Sequence, residues 1–124
     1  MGIWMGALGR LTISPEPTRE LIMEYLLFSE FSCPDSYRED DVAWNPWFFG
    51  KDGKLISHIG KRVESKEWYY HLKENFFEKR GYQLIGDPNF VWEGDEGIDI
   101  WKIGNARSIE HLDSRKAFEE KYLK

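Results

Sequence analysis

The chain has 124 residues, a formal net charge of −5 and a pI near 5.2. That length suits one domain around one core, and an aromatic share of 16% excludes a disordered chain. The acidic balance argues against a binder of the phosphate backbone, whose footprint is a basic patch, so direct nucleic-acid binding is not expected.

Residues 3–14 read as a first strand, in which Leu8, Arg10 and Thr12 alternate with Ala7, Gly9, Leu11 and Ile13. Gly6 and Gly9 point to bulges or a close backbone approach, and Ser14-Pro15-Glu16-Pro17 ends the run. Thr18 offers an N-cap to a first helix, Arg19 to about Phe31, with Glu20 near its positive end. Leu21, Tyr25 and Phe28 recur at helical spacing, and Met23, Leu27 and Phe31 widen the apolar arc. Cys33-Pro34 stops this helix, and Asp35–Asp41 is a polar loop.

Val42–Phe49 and Lys54–Ile59 form a hairpin around Lys51-Asp52-Gly53, because Asp-Gly supplies the positive φ of a tight turn. Pro46 places the first arm at an edge or a bulge. Ser65 caps a second helix, Lys66 to about Arg80, with Trp68, Leu72 and Phe76 on one stripe and Gly81 just past its end. Tyr82–Ile85 starts a strand that Gly86-Asp87-Pro88-Asn89 interrupts. Then Phe90-Val91-Trp92 and Ile98–Ile103 flank Glu93-Gly94-Asp95-Glu96-Gly97 and read as a hairpin with an acidic tip. Ala106–Glu110 reads as a last strand, and Asp113 caps a short helix through Tyr122, with Phe118 and Tyr122 one turn apart. The order is β-α-β-β-α-β-β-β. It predicts an α+β fold: an antiparallel sheet with two amphipathic helices packed on one face. The expected domain spans 1–112, followed by a helical tail over 113–124.

One cysteine, Cys33, allows neither an intrachain disulfide nor a cysteine cage for a metal. It stands at a helix C-terminus, which disfavours a thiolate. The opening MGIWMGALGR has no basic segment followed by an apolar core, and Met1-Gly2 lacks the Ser or Thr of a myristoylation signal. No apolar run approaches the length of a membrane span. The expected compartment is the cytoplasm, with no membrane partner.

No catalytic signature stands out. His58, His71 and His111 lack the spacing of a zinc site, and the acid cluster Glu93, Asp95, Glu96, Asp99 does not match a calcium loop. Gly2, Gly6 and Gly9 lack the ending of a phosphate loop. No cofactor and no metal are expected. Arg10 and Arg107, on terminal strands, are expected to converge beside Trp101 and Asp99, giving an arginine fork for an anion and a ring for stacking. The alternative is that these arginines pair with Asp99 or Glu93 and the rings are core. Trp44-Asn45-Pro46-Trp47-Phe48-Phe49 carries more rings than one strand face can bury. Either the C-terminal helix covers them, or a homo-oligomer does so with Trp44, Trp47 and Phe49 at its interface.

Three segments together resemble a group of small bacteriophage α+β proteins. They are Gly9-Arg10-Leu11-Thr12-Ile13-Ser14-Pro15, the aromatic helix from Trp68 to Gly81-Tyr82, and Gly86 with Trp92-Glu93-Gly94-Asp95 and Asp99-Ile100-Trp101. The resemblance runs over residues 6–110 and breaks at Asp87-Pro88-Asn89 and in the 113–124 tail. It implies a phage-encoded anti-defence protein in the host cytoplasm, which blocks a host defence protein or sequesters a nucleotide-like small molecule. The expected function is non-catalytic binding. The alternatives are a small enzyme acting on a phosphorylated ligand and a structural oligomeric phage protein.

Overall fold

A computed structural model of the chain describes residues 3–32, 34 and 44–122, leaving aside the side chains of Phe118 and Tyr122. The expectations for Cys33, the 35–41 loop, Val42 and the Phe118–Tyr122 pair lie outside the described residues. In chain order the elements are β1 (Trp4–Leu8), β2 (Arg10–Ser14), α1 (Arg19–Phe31), β3 (Trp47–Phe49), β4 (Leu55–Ser57) and β5 (Ile59–Lys61). Then follow α2 (Ser65–Leu72), β6 (Gln83–Ile85), β7 (Asn89–Trp92) and α3 (Ile100–Tyr122). The fold is α+β with antiparallel pairing throughout, as the sequence predicts.

The strands form two sheets, β5-β1-β7 and β3-β4-β2-β6. They are two halves of one ribbon folded along a crease. β1 runs into β2 through Gly9, β4 into β5 through His58, and β6 into β7 through Gly86-Asp87-Pro88. Across the crease, Leu8 pairs with Asn89 and Thr12 with Ile85, so both strands advance by four residues and the register is kept. On the other side, Gly6 pairs with Ile59 and Arg10 with Ile56, four residues against three. The extra residue makes a bulge, and Gly9 at φ 93° supplies the left-handed backbone there.

Thr18 caps α1, its Oγ1 accepting the Leu21 N–H at 3.1 Å. Ser65 does not cap α2. It is 2% exposed and its hydroxyl bonds that of Ser57, while Glu64 takes the N-cap position. Beyond Leu72, α2 continues through a π-helical turn, Lys73–Phe77, and a 3-10 turn, Glu78–Arg80, before Gly81 ends it at φ 81°. The wider turn points the consecutive Phe76 and Phe77 into the core together, each 0% exposed. α1 and α2 cover one sheet face, where Leu21, Tyr25, Trp68, Leu72 and the two phenylalanines meet Ala7, Leu11, Ile13 and Leu55.

The largest departure from the sequence reading is the C-terminal third. Ile98–Ile103 and Ala106–Glu110 are not strands; from Ile100 onward they belong to α3, and a boundary at 112/113 falls inside that helix. Asp99 decides this locally. Its Oδ1 accepts the Lys102 N–H and its carbonyl the Ile103 N–H, each at 3.1 Å, so it caps a helix where alternation suggested a strand. The acidic tip is a turn in which Asp95 Oδ2 accepts the Trp92 N–H at 3.0 Å. α3 lies on the face opposite α1 and α2. There Ile100 and Ile103 pack on Trp4, Leu8, Ile59 and Val91, while Ala7, between them on the strand, points the other way. Contact is close because Gly104 has no Cβ; one built there would lie 2.7 Å from the Ile59 carbonyl and 2.7 Å from the Trp4 ring. Among the described residues no helix is long and apolar enough to cross a membrane.

Phe76 is 0% exposed and packs edge-on against Tyr25 at 5.5 Å. Phe76→Ala is expected to cost about 3–5 kcal/mol, the range for deleting a large ring from a packed core. Urea unfolding measures it; a loss of only a few tenths would mean that the π-helical turn does not anchor the core.

Candidate functional site

α3 meets the β3–β4 hairpin through polar side chains. Its sheet-facing stripe runs Ile100, Ile103, Gly104, Arg107, His111, Ser114, at the three- and four-residue spacing of one helix face. Phe48 and Ile56 are opposite each other in the hairpin and point at α3, whereas Trp47 and Phe49 point at α1 and α2. His58, at the crease, brings its ring beneath α3. There it meets His111 at 4.5 Å between centroids and 73° between planes. Phe48 lies 4.8 Å from each imidazole, and Trp44 stands edge-on to His58 at 5.5 Å.

These rings wall a cavity of about 480 Å³ between α1, the hairpin and α3, with Phe49 and Ser114 on its inner side and Arg115 and Glu119 at its rim. Its floor is fixed by hydrogen bonds. The Tyr25 hydroxyl donates to the Trp47 carbonyl at 2.8 Å and accepts from Asn45 Nδ2 at 2.8 Å. Asn45 Nδ2 also donates to Ser29 Oγ at 2.7 Å, and Asn45 Oδ1 accepts the Trp47 N–H at 3.0 Å. Burial raises the Tyr25 pKa, so the phenol stays protonated. Burial, then His111, then Arg107 lower His58 from its ordinary 6.5 to about 4. Burial and the neighbouring Arg115 also lower His111. Both imidazoles are therefore uncharged at neutral pH, and each presents one ring donor and one ring acceptor. The cavity offers flat faces with a few polar atoms, which suits a planar molecule.

Two buried polar side-chain atoms lack a hydrogen-bond partner among the described residues, Trp68 Nε1 and Ser114 Oγ. Trp68 lies inside the core, whereas Ser114, 3% exposed, lines the cavity. Among the described residues no group of three or more His, Cys, Asp or Glu is placed to hold a metal ion.

Of the residues expected to form an anion site, α3 brings two together. Arg10 pairs with Asp52 at 3.3 Å and with Glu110, and Arg107 is held below its ordinary pKa by burial, with Glu110 opposing that shift and Arg10 adding to it. Arg107 is on a helix rather than a terminal strand, and its Nη1 donates to the Ser57 carbonyl at 2.9 Å. Asp99 and Trp101 lie at the start of the same helix, about 9–12 Å along the axis from Arg107. There Asp99 is the cap, and Trp101, 52% exposed, leans on Trp4 at 6.2 Å. The expected four-residue site is therefore split: Arg10 on β2 lies near Arg107 in α3, and Asp99 and Trp101 stay at the start of that helix.

The rings expected at a subunit interface also divide. Trp47 is 2% exposed and its indole N–H donates to the Ser65 carbonyl at 2.9 Å, which places it in the core and not at a surface. Phe49 is half-buried against Tyr25 at 5.1 Å, and Trp44 alone of the three is largely exposed. α1 and α2 cover Trp47 and Phe49, and α3 covers Phe48 with a polar face through His111. No zinc spacing joins His58 to His111, and Ser114 belongs to no motif. The signal for the latter two was the continuation of the Ile100–Ile103–Arg107 spacing. Comparison with protein-family models, with curated proteins and with solved structures finds no match for this chain.

Two outcomes follow from this geometry. Arg107→Ala leaves the carbonyl of the fully buried Ser57 unpaired and is expected to cost about 1–3 kcal/mol in chemical denaturation. Unchanged stability would mean that the guanidinium is not a structural donor. For His58 the folded pKa lies below the unfolded one, so its contribution is whole above about pH 6.5 and is lost as pH falls towards about 4. Urea midpoints between pH 7.5 and pH 4 are expected to fall through that window, and His58→Gln to flatten the fall; an equal fall in the variant assigns it to other groups.

Proposed function

We propose that this chain is a non-catalytic binding protein that holds a small planar molecule in the cavity beneath α3. The observation carrying the proposal is the wall itself: the ring centroids of Phe48, His58 and His111 lie within 4.5–4.8 Å of one another, and Trp44 lines the same cavity. Aromatic stacking on such faces contributes about 1–3 kcal/mol per base-like ring. The resemblance to bacteriophage proteins supports a host defence signal as the molecule to be sequestered.

Contact with another protein is the second reading, favoured by α1. Met23, Leu27 and Phe31 recur every four residues along it and are 38%, 58% and 80% exposed. A host defence protein or a second copy of the chain would cover that stripe. Light scattering that finds only a 14.7 kDa species at high concentration removes self-association.

A melting screen against purines, pyrimidines and their nucleosides tests the cavity. A ligand at a hundredfold excess over its Kd stabilises by about 2.7 kcal/mol, a rise of several degrees. Trp44→Ala is expected to abolish the rise, and the ligand to be recovered unchanged. A chemically altered ligand would make the chain an enzyme, and no shift with any planar ligand would end the proposal.

A further inference from the structure

A second cavity of about 480 Å³ adjoins the first, between β2, the β3–β4 turn and the C-terminal half of α3. Its walls differ in kind. Lys51, Lys54 and Lys121 line it with the hydroxyls of Thr12 and Ser14, against the carboxylates of Glu16 and Asp52. The Asp52 carboxylate is already engaged, accepting from Arg10 at 3.3 Å and from the Lys54 backbone N–H at 3.0 Å. In a chain of net charge −5 this corner is a local concentration of ammonium groups. The aromatic and the lysine-lined cavities share two residues, Phe49 and Ser114. Ser114 is 3% exposed and stands in the wall of both cavities, and its buried Oγ has no partner among the described residues. A buried hydroxyl in that state, at the junction of a ring-lined and a cation-lined space, has the place of a contact to the middle of a two-part ligand.

We propose that the two cavities form one bipartite site for a nucleoside monophosphate. The base lies among Phe48, His58, His111 and Trp44, the Ser114 hydroxyl meets the sugar, and Lys51 and Lys54 hold the phosphate. This rests on the aromatic-cavity proposal above and adds to it the ligand class and the second half of the site. Each cavity is within the roughly 300–1,000 Å³ span of small-molecule sites. Lysine suits this place as a point charge at the edge of solvent, free of the fixed fork that arginine needs.

Calorimetric titration of the full chain with the four common nucleosides, their 5′-monophosphates and inorganic phosphate tests the proposal. At least one monophosphate is expected to bind about 10–100-fold tighter than its nucleoside, the span of a charge-assisted contact. In Lys51→Ala/Lys54→Ala that advantage is expected to vanish while the nucleoside affinity stays, because both lysines are surface groups on or beside a turn. Ser114→Ala is expected to weaken nucleoside and monophosphate alike by about fivefold with an unlowered melting temperature. A merely structural serine would move the melt and not the affinity. Nucleosides and monophosphates binding equally, or a phosphate advantage that survives the double substitution, overturns the bipartite site and leaves the aromatic cavity standing. Binding of inorganic phosphate with no nucleoside binding overturns the base half. No binding by any planar ligand overturns both.

Discussion

The backbone of α3 touches the backbone of β5 at Gly104, and much of the molecule's polar architecture depends on that contact. Any side chain there would collide with the Ile59 carbonyl and the Trp4 ring. With the helix this low, Arg107 one turn on reaches the Ser57 carbonyl, and the next turn lays His111 against His58. One more step along the stripe puts Ser114 where the two cavities meet. A helix lifted about an ångström to clear a methyl group would stretch the Arg107–Ser57 hydrogen bond and loosen the contact between the imidazoles. The apolar grip of Ile100 and Ile103 anchors only the first turn or so. Farther along, α3 is held largely by polar complementarity, which is directional and intolerant of displacement.

The crease in the sheet supplies the other half of the arrangement. A flat ribbon would carry β4 straight into β5 and direct His58 along the sheet surface. The bulge at Gly9, opposite His58, bends the ribbon there, and the ring meets α3 at His111. The same bend separates the two hydrophobic clusters, one beneath α1 and α2 and one beneath the start of α3. Sequestering two imidazoles between them carries an electrostatic cost that appears below neutral pH, where protons compete for the buried rings.

How much of this was legible follows from where each signal lies along the chain. The Thr18 cap, the Lys51-Asp52-Gly53 turn, the Trp68–Leu72–Phe76 stripe and the Gly81 stop are all written within a few neighbouring residues, and each forms as read. Ile98–Ile103 satisfied two patterns at once, alternation and helical spacing, and the Asp99 carboxylate settled the contest through a hydrogen bond that alternation does not register. The rest of α3 hid for the opposite reason. Its buried face is arginine, histidine and serine, while Ile109 and Leu112 are 62% and 59% exposed, so a search for an apolar face points away from the sheet. The meeting of His58 with His111 depends on the crease and on Gly104 together, and no local pattern encodes it.

The π-helical turn of α2 decides which changes of length this helix can absorb. Such a turn is an ordinary helix into which one residue has been inserted, with the flanking helix kept on either side. Removing one residue from Lys73–Phe77 would restore regular winding and leave the turns on either side in place. Phe76 and Phe77 could then no longer both face Tyr25, while the Gly81 stop would keep its place. The second core phenylalanine therefore depends on the wider turn. A one-residue deletion within Lys73–Phe77 would cost core packing around Tyr25 and spare the placement of the strands that follow.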